Sequence, residues 1–69
     1  MKRGTIKMYD PIKGFGFIVT ESDDDLFFSA EDIHPKSRNQ TIREGFEVGY
    51  DFKREIRGDR AVNVRLLGR

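Results

Sequence analysis

The sequence contains no cysteine and no tryptophan, and its 69 residues include a single histidine and two prolines. Without cysteine there is no disulfide framework and no thiolate-held metal centre. His34 alone cannot assemble an imidazole metal site, and no serine–acid arrangement is signalled around it, so it is read as a surface loop residue, with a base-stacking contact as the alternative. No apolar run approaches the length needed to span a membrane. Met1-Lys2-Arg3-Gly4 leads directly into a strand pattern, without the apolar segment of a secretory signal. The expectation is a soluble cytoplasmic protein, not membrane-associated and monomeric by default. A large excess of charge is missing too, since the net charge is +1. Its distribution is uneven, however. Residues 1–20 carry Lys2, Arg3, Lys7 and Lys13 against Asp10, and residues 33–69 carry nine bases against five acids. Residues 21–32 hold Glu21, Asp23, Asp24, Asp25, Glu31 and Asp32 with no base. The overall balance falls short of a strongly basic nucleic-acid footprint. Any polyanion would have to be held by locally placed charge.

Long helical periodicity is the next absence. Apolar residues alternate instead, and turn signals recur at short intervals, which favours an all-β domain. Strands are expected at about 3–9, 14–20, 25–30, 46–56 and 60–67. Asp10-Pro11, Ser22-Asp23-Asp24 and Arg57-Gly58-Asp59 supply turns. Phe46, Val48, Tyr50 and Phe52 repeat with period two. The one long connection, residues 31–45, is polar and contains Pro35, and it is expected to be a mobile loop carrying at most a helical turn begun by Ser29 or Asp32. Five short antiparallel strands with this connection after the third match a small OB-type barrel. The expected core is Ile6, Ile18, Leu26, Phe28, Ile33, Val48, Tyr50, Val62 and Val64. A chain of this length is a single domain that buries only about 60% of its unfolded surface.

The stretch richest in chemistry is Lys13-Gly14-Phe15-Gly16-Phe17-Ile18, followed by Leu26-Phe27-Phe28. On a strand Phe15 and Phe17 emerge on one face, while Gly14 and Gly16 place no side chain on the other. Ile18 already supplies the core-facing side. A second apolar face on the same strand exceeds what so small a domain can bury, so the rings belong on the surface. Two exposed rings beside Lys13 suit unpaired bases, because every base offers a π-face and every nucleotide a phosphate.

Lys-Gly-Phe-Gly-Phe-Ile, with Gly4-Thr5-Ile6-Lys7 before it and Asp25-Leu26-Phe27 after it, resembles the bacterial cold shock domain. The likeness extends through Ile33, Glu44-Gly45 and Ala61-Val62-Asn63-Val64, and so covers nearly the whole chain. It implies a face that binds single-stranded RNA or DNA, with Lys7, Met8, Asp10, Lys13, Phe15, Phe17, Asp25, Phe27, Ser29 and Arg38 as its candidate residues. It also marks departures. Met8 stands where the family commonly has tryptophan, Ser29 where it has histidine, and Ala30 where phenylalanine is expected. Arg38 is the nearest residue to a missing mid-loop aromatic. Tyr9 keeps an aromatic. Strict alternation would send Met8 into the core with Ile6, whereas the resemblance puts it on the surface and therefore requires a bulge in the first strand. The implied binding is weaker and more salt-sensitive than is usual for the family.

Other constellations fall away. Glu21, Asp23, Asp24 and Asp25 lack the ligand order and central glycine of an EF-hand loop and read as a solvated turn. Asp25 suits either a base amino group or local backbone. Gly14-x-Gly16 lacks a third glycine and a following helix, so it is no phosphate loop. No nucleophile, acid–base pair or cofactor motif is present, so neither an enzyme nor a cofactor is expected. The leading function is a single-stranded nucleic-acid-binding module acting as an RNA chaperone or as a regulator of transcription or translation. The alternative is a protein-interaction barrel whose aromatic face packs on another chain.

Overall fold

The computed structural model describes residues 1–68. Five strands follow one another: β1 (Lys2–Asp10), β2 (Phe15–Thr20), β3 (Asp25–Ser29), β4 (Glu47–Lys53) and β5 (Arg60–Gly68). They close into a barrel in the order β1-β2-β3-β5-β4, with β4 returning to pair with β1. The all-β OB-type barrel expected from the alternation is what forms. One seam departs from the expected antiparallel pattern, because β3 meets β5 in parallel through Phe27 and Arg60. A parallel bridge between Ile33 and Val64 continues that seam beyond the end of β3.

Each turn follows from its residues. Asp10 Oδ1 accepts from the backbone amides of Ile12 (2.9 Å) and Lys13 (3.1 Å), and Gly14 closes the turn at φ +77°. β2 therefore begins at Phe15 rather than at Gly14. Thr20 Oγ1 accepts from Ser22 N and Asp24 N, and Asp23 takes a left-handed φ of +65°. The acidic run is thus a hairpin turn. In the long connection, Ala30–Asp32 and Pro35–Ser37 each form a short 3-10 turn. His34 Nδ1 accepts from Lys36 N, and the buried Ser37 hydroxyl accepts from Leu66 N. The connection is tied to β5 at several points, beyond the single helical turn anticipated.

The core comprises Ile6, Ile18, Leu26, Phe28, Ile33, Val48, Tyr50, Ala61 and Val64. Ala61 was not expected there, and Val62 is only half-buried instead of buried. Asn63 explains the change. Its φ of +51° breaks the alternation of β5, so Ala61 and Val64, three residues apart, both point inward. The same bulge shifts the β4–β5 register between Gly49 and Asp51; β4 keeps Val48 and Tyr50 inward, while Phe52, next to its end, is 43% exposed. β4 ends at Lys53, short of the expected boundary at residue 56.

At the centre, the fully buried Phe28 ring lies against Gly16, and Tyr9 stacks on it at 5.6 Å with an interplanar angle of 11°. A Cβ on Gly16 would collide with the Met8 carbonyl oxygen and lie 2.8 Å from Phe28 Cζ. Gly16→Ala is therefore expected to cost about 1–3 kcal/mol through overpacking. A thermal melt of the variant checks this, and an unshifted midpoint would show that the wall has room to move.

Candidate nucleic-acid interface

Geometry of the outer face is set by one irregularity in β1. Ile6 pairs with Ile18 but Met8 pairs with Phe17, so Lys7 is an extra residue opposite no partner. The bulge sends both Lys7 and Met8 outward and turns Tyr9 inward onto Phe28. Met8 is 37% exposed, not buried beside Ile6.

Phe15, Phe17 and Phe27 stand together on the outer face of β2 and β3. Their ring centroids are 6.1 Å apart for Phe15–Phe17, 6.1 Å for Phe15–Phe27 and 6.0 Å for Phe17–Phe27. Phe15 and Phe27 are within 20° of parallel, while Phe17 lies at 90° to Phe15 and 74° to Phe27. Each ring is half-buried. The spacings lie within the range of favourable aromatic pairs, so the three hold one another in place.

Charge around this patch is more constrained than the sequence implied. Lys7 Nζ lies 2.6 Å from Asp25 Oδ2, which joins two of the candidate residues in one ion pair. Lys13, exposed in the β1–β2 turn, forms no ion pair among the described residues. Asp10 is a turn-builder whose Oδ1 is taken by two backbone amides. Arg38 is committed to the long connection: its Nε donates to the Ile33 carbonyl at 3.0 Å and its Nη2 to the Glu31 carbonyl at 3.2 Å. These bonds anchor Arg38 to its own loop rather than to the triad. Ser29 pairs with Phe15 across the strands, and its amide and hydroxyl both donate to Asp32 Oδ2.

A model of the "'Cold-shock' DNA-binding domain" matches residues 2–67. The chain belongs to that family. It is 40% identical to a major cold shock protein of Streptococcus pyogenes, over 97% of its own length and 98% of the relative's. It is 39% identical to a cold shock-like protein of Aquifex aeolicus, covering 96% and 94% of the two chains. Cold shock protein CspC of Bacillus subtilis is 37% identical over 94% and 97%.

One residue of this cold shock domain's outer face escaped the sequence reading. Arg60 sits with its Cζ 5.4 Å from the Phe27 ring centroid, held by Asp32 and Glu55. Its hydrogen bond to Asp32, reinforced by Glu55, raises its already high pKa despite partial desolvation, so it stays charged. Local pattern gave no sign of it, because its place beside Phe27 comes from the parallel β3–β5 seam.

The Lys7–Asp25 pair yields a test. Asp25→Asn would free Lys7 for a phosphate, so affinity for a labelled oligothymidine should rise several-fold at low salt. The log–log salt slope should steepen by about 0.7, the increment for one further phosphate contact on a single strand. An unchanged slope in a salt titration would show that Lys7 does not reach the backbone.

Proposed function

We propose that this cold shock domain binds single-stranded RNA or DNA on the face formed by Phe15, Phe17 and Phe27, and that it acts by holding strands unpaired. The observation that carries this reading is the half-buried triad on the outer wall of the barrel, three rings about 6 Å apart. Stacking on such rings is tolerant of sequence and does not require a 2′-hydroxyl, so both polymers are ligands. No bond is made or broken. Lys13, and Lys7 when it leaves Asp25, neutralise phosphates, while Met8 adds a polarisable contact beside Phe17. The role that follows is that of an RNA chaperone, or of a regulator that works by keeping messages or template strands open. Its natural setting is the cytoplasm, where such strands occur.

The same inventory supports weaker binding than in relatives that carry more rings. Met8 replaces one stacking platform, and Ser29 and Ala30 replace two further side chains. Each base–aromatic stack contributes roughly 1–3 kcal/mol on truncation, so losing platforms reduces affinity by one or more decades.

Two substitutions test the interface. Phe17→Ala removes the ring shared by both edge-on contacts, and should weaken oligothymidine binding by about 1–3 kcal/mol while the melting curve stays close to that of the parent. Equal affinity in parent and variant would favour a face that docks a protein instead. Met8→Trp should tighten binding by a comparable amount without altering the salt slope, because it adds π-surface and no charge. A loss of stability with no gain in affinity would mean that position 8 cannot present a ring outward.

A further inference from the structure

The barrel's register carries the aromatic row onto a fourth strand. Met8 pairs with Phe17, Phe17 with Phe27, and Phe27 with Arg60, so one cross-strand line runs through β1, β2, β3 and β5. Arg60 is the last member of this line, and its guanidinium lies over the Phe27 ring. Four of its five N–H bonds are already used. Nε donates to Asp32 Oδ2 at 3.1 Å, Nη1 to Glu55 Oε1 at 3.3 Å, and Nη2 to both Ser29 Oγ at 2.9 Å and Asp32 Oδ2. Guanidinium hydrogen bonds lie in the plane of the group, so three partners on two chain segments fix the orientation of that plane. The side chain nonetheless keeps 25% of its surface exposed. Beside it is an open cleft of about 290 Å³ lined by Phe27, Glu55, Arg57, Gly58, Asp59 and Arg60. That volume is at the small end for ligand pockets and suits a unit the size of a single base.

We propose that Arg60 is a base-stacking plate, a fourth platform that extends the Phe17–Phe27 row into the cleft beneath the β4–β5 turn. This rests on the nucleic-acid reading of the face. A phosphate-gripping role fits poorly, since the donors a phosphate would need are spent and two carboxylates stand beside the cation. What remains for a ligand is the π-face. Planar guanidinium stacks on bases as it does on aromatic rings, and it costs little entropy when already held. Asp32 and Glu55 are positioning residues that keep the plate aligned.

The test compares the parent with Arg60→Lys and Arg60→Ala in titrations of labelled oligothymidine across a salt series, with thermal melts alongside. Lysine keeps the charge beside Asp32 but has no planar face. The plate therefore predicts roughly tenfold weaker binding for both variants, with an unchanged salt slope. Parent-like binding by Arg60→Lys would overturn it. So would a slope in Arg60→Ala reduced by about 0.7, the mark of a phosphate contact. Tighter binding by Arg60→Ala would also overturn it, because Arg60 would then be covering Phe27 rather than extending it. Should either variant fail to fold, the Arg60 Nε–H resonance of the parent decides the matter. It should shift on addition of oligothymidine while staying protected from exchange, and an unmoved signal refutes the plate. A parent that does not bind oligothymidine at all defeats the interface itself. Parent binding with an indifferent Arg60→Lys defeats only the plate.

Discussion

Close packing of Phe28 against a glycine is the constraint from which the rest of the barrel follows. Phe28 is fully buried, and the wall it touches is Gly16, where a Cβ has no room. Filling the centre with one large ring requires β2 to be bare at that point on its inner side. Phe15 and Phe17, on either side of Gly16, must then point outward. Tyr9 completes the inner stack only because the extra residue Lys7 has reversed the facing of β1. One packing requirement therefore fixes both the core and the outward rings. A substitution at Gly16 would reach the surface without touching it, by shifting the strand that carries two of its rings.

Electrostatics on the same face is a matter of pairing rather than of net charge. The acids of residues 21–32 do not form one negative patch: Asp23 and Asp24 make a turn, Asp25 holds Lys7, and Asp32 holds Arg60. Each neutralised cation gives up long-range attraction for a phosphate and gains a fixed position. On the proposed reading, contact area rather than long-range attraction would carry the recognition at these paired positions, since exposed pairs are worth little and are readily screened. This agrees with a chain whose net charge is only +1.

Much of this was legible in the residues, and the misses share a cause. Alternation placed Ile6, Ile18, Leu26, Phe28, Val48, Tyr50 and Val64 in the core, and the glycine–phenylalanine alternation placed the rings outside. Local turn chemistry located the hairpins. Whatever depended on pairing between distant strands was hidden. Ala61 was missed because the left-handed Asn63 shifts the phase of β5, and nothing in Ala61-Val62-Asn63-Val64 announces that. Arg38, assigned to the face, bonds to carbonyls of its own loop, whereas Arg60, read as following a turn, reaches Phe27 across a parallel seam. Both are exposed-looking arginines in polar sequence. Only the topology separates them.

That seam also joins stability to binding. Backbone pairing between β3 and β5 is confined to the Phe27–Arg60 partnership, continued by the Ile33–Val64 bridge, whereas β1 and β2 share a long ladder. Side chains supply what the ladder lacks, with Arg60 tying the Ser29–Asp32 turn to Glu55. Asp32 in turn reaches back to the Ser29 amide at the start of the 3-10 turn. The weakest edge of the barrel thus lies beneath the rim of the aromatic face. A strand laid along Phe17, Phe27 and Arg60 would bridge β2, β3 and β5 and would bind only the closed barrel. By mass action it would hold that edge shut, as any ligand stabilises the state it recognises. In a domain too small for a large reserve of stability, the face that takes the strand and the seam that completes the fold are best treated as one element.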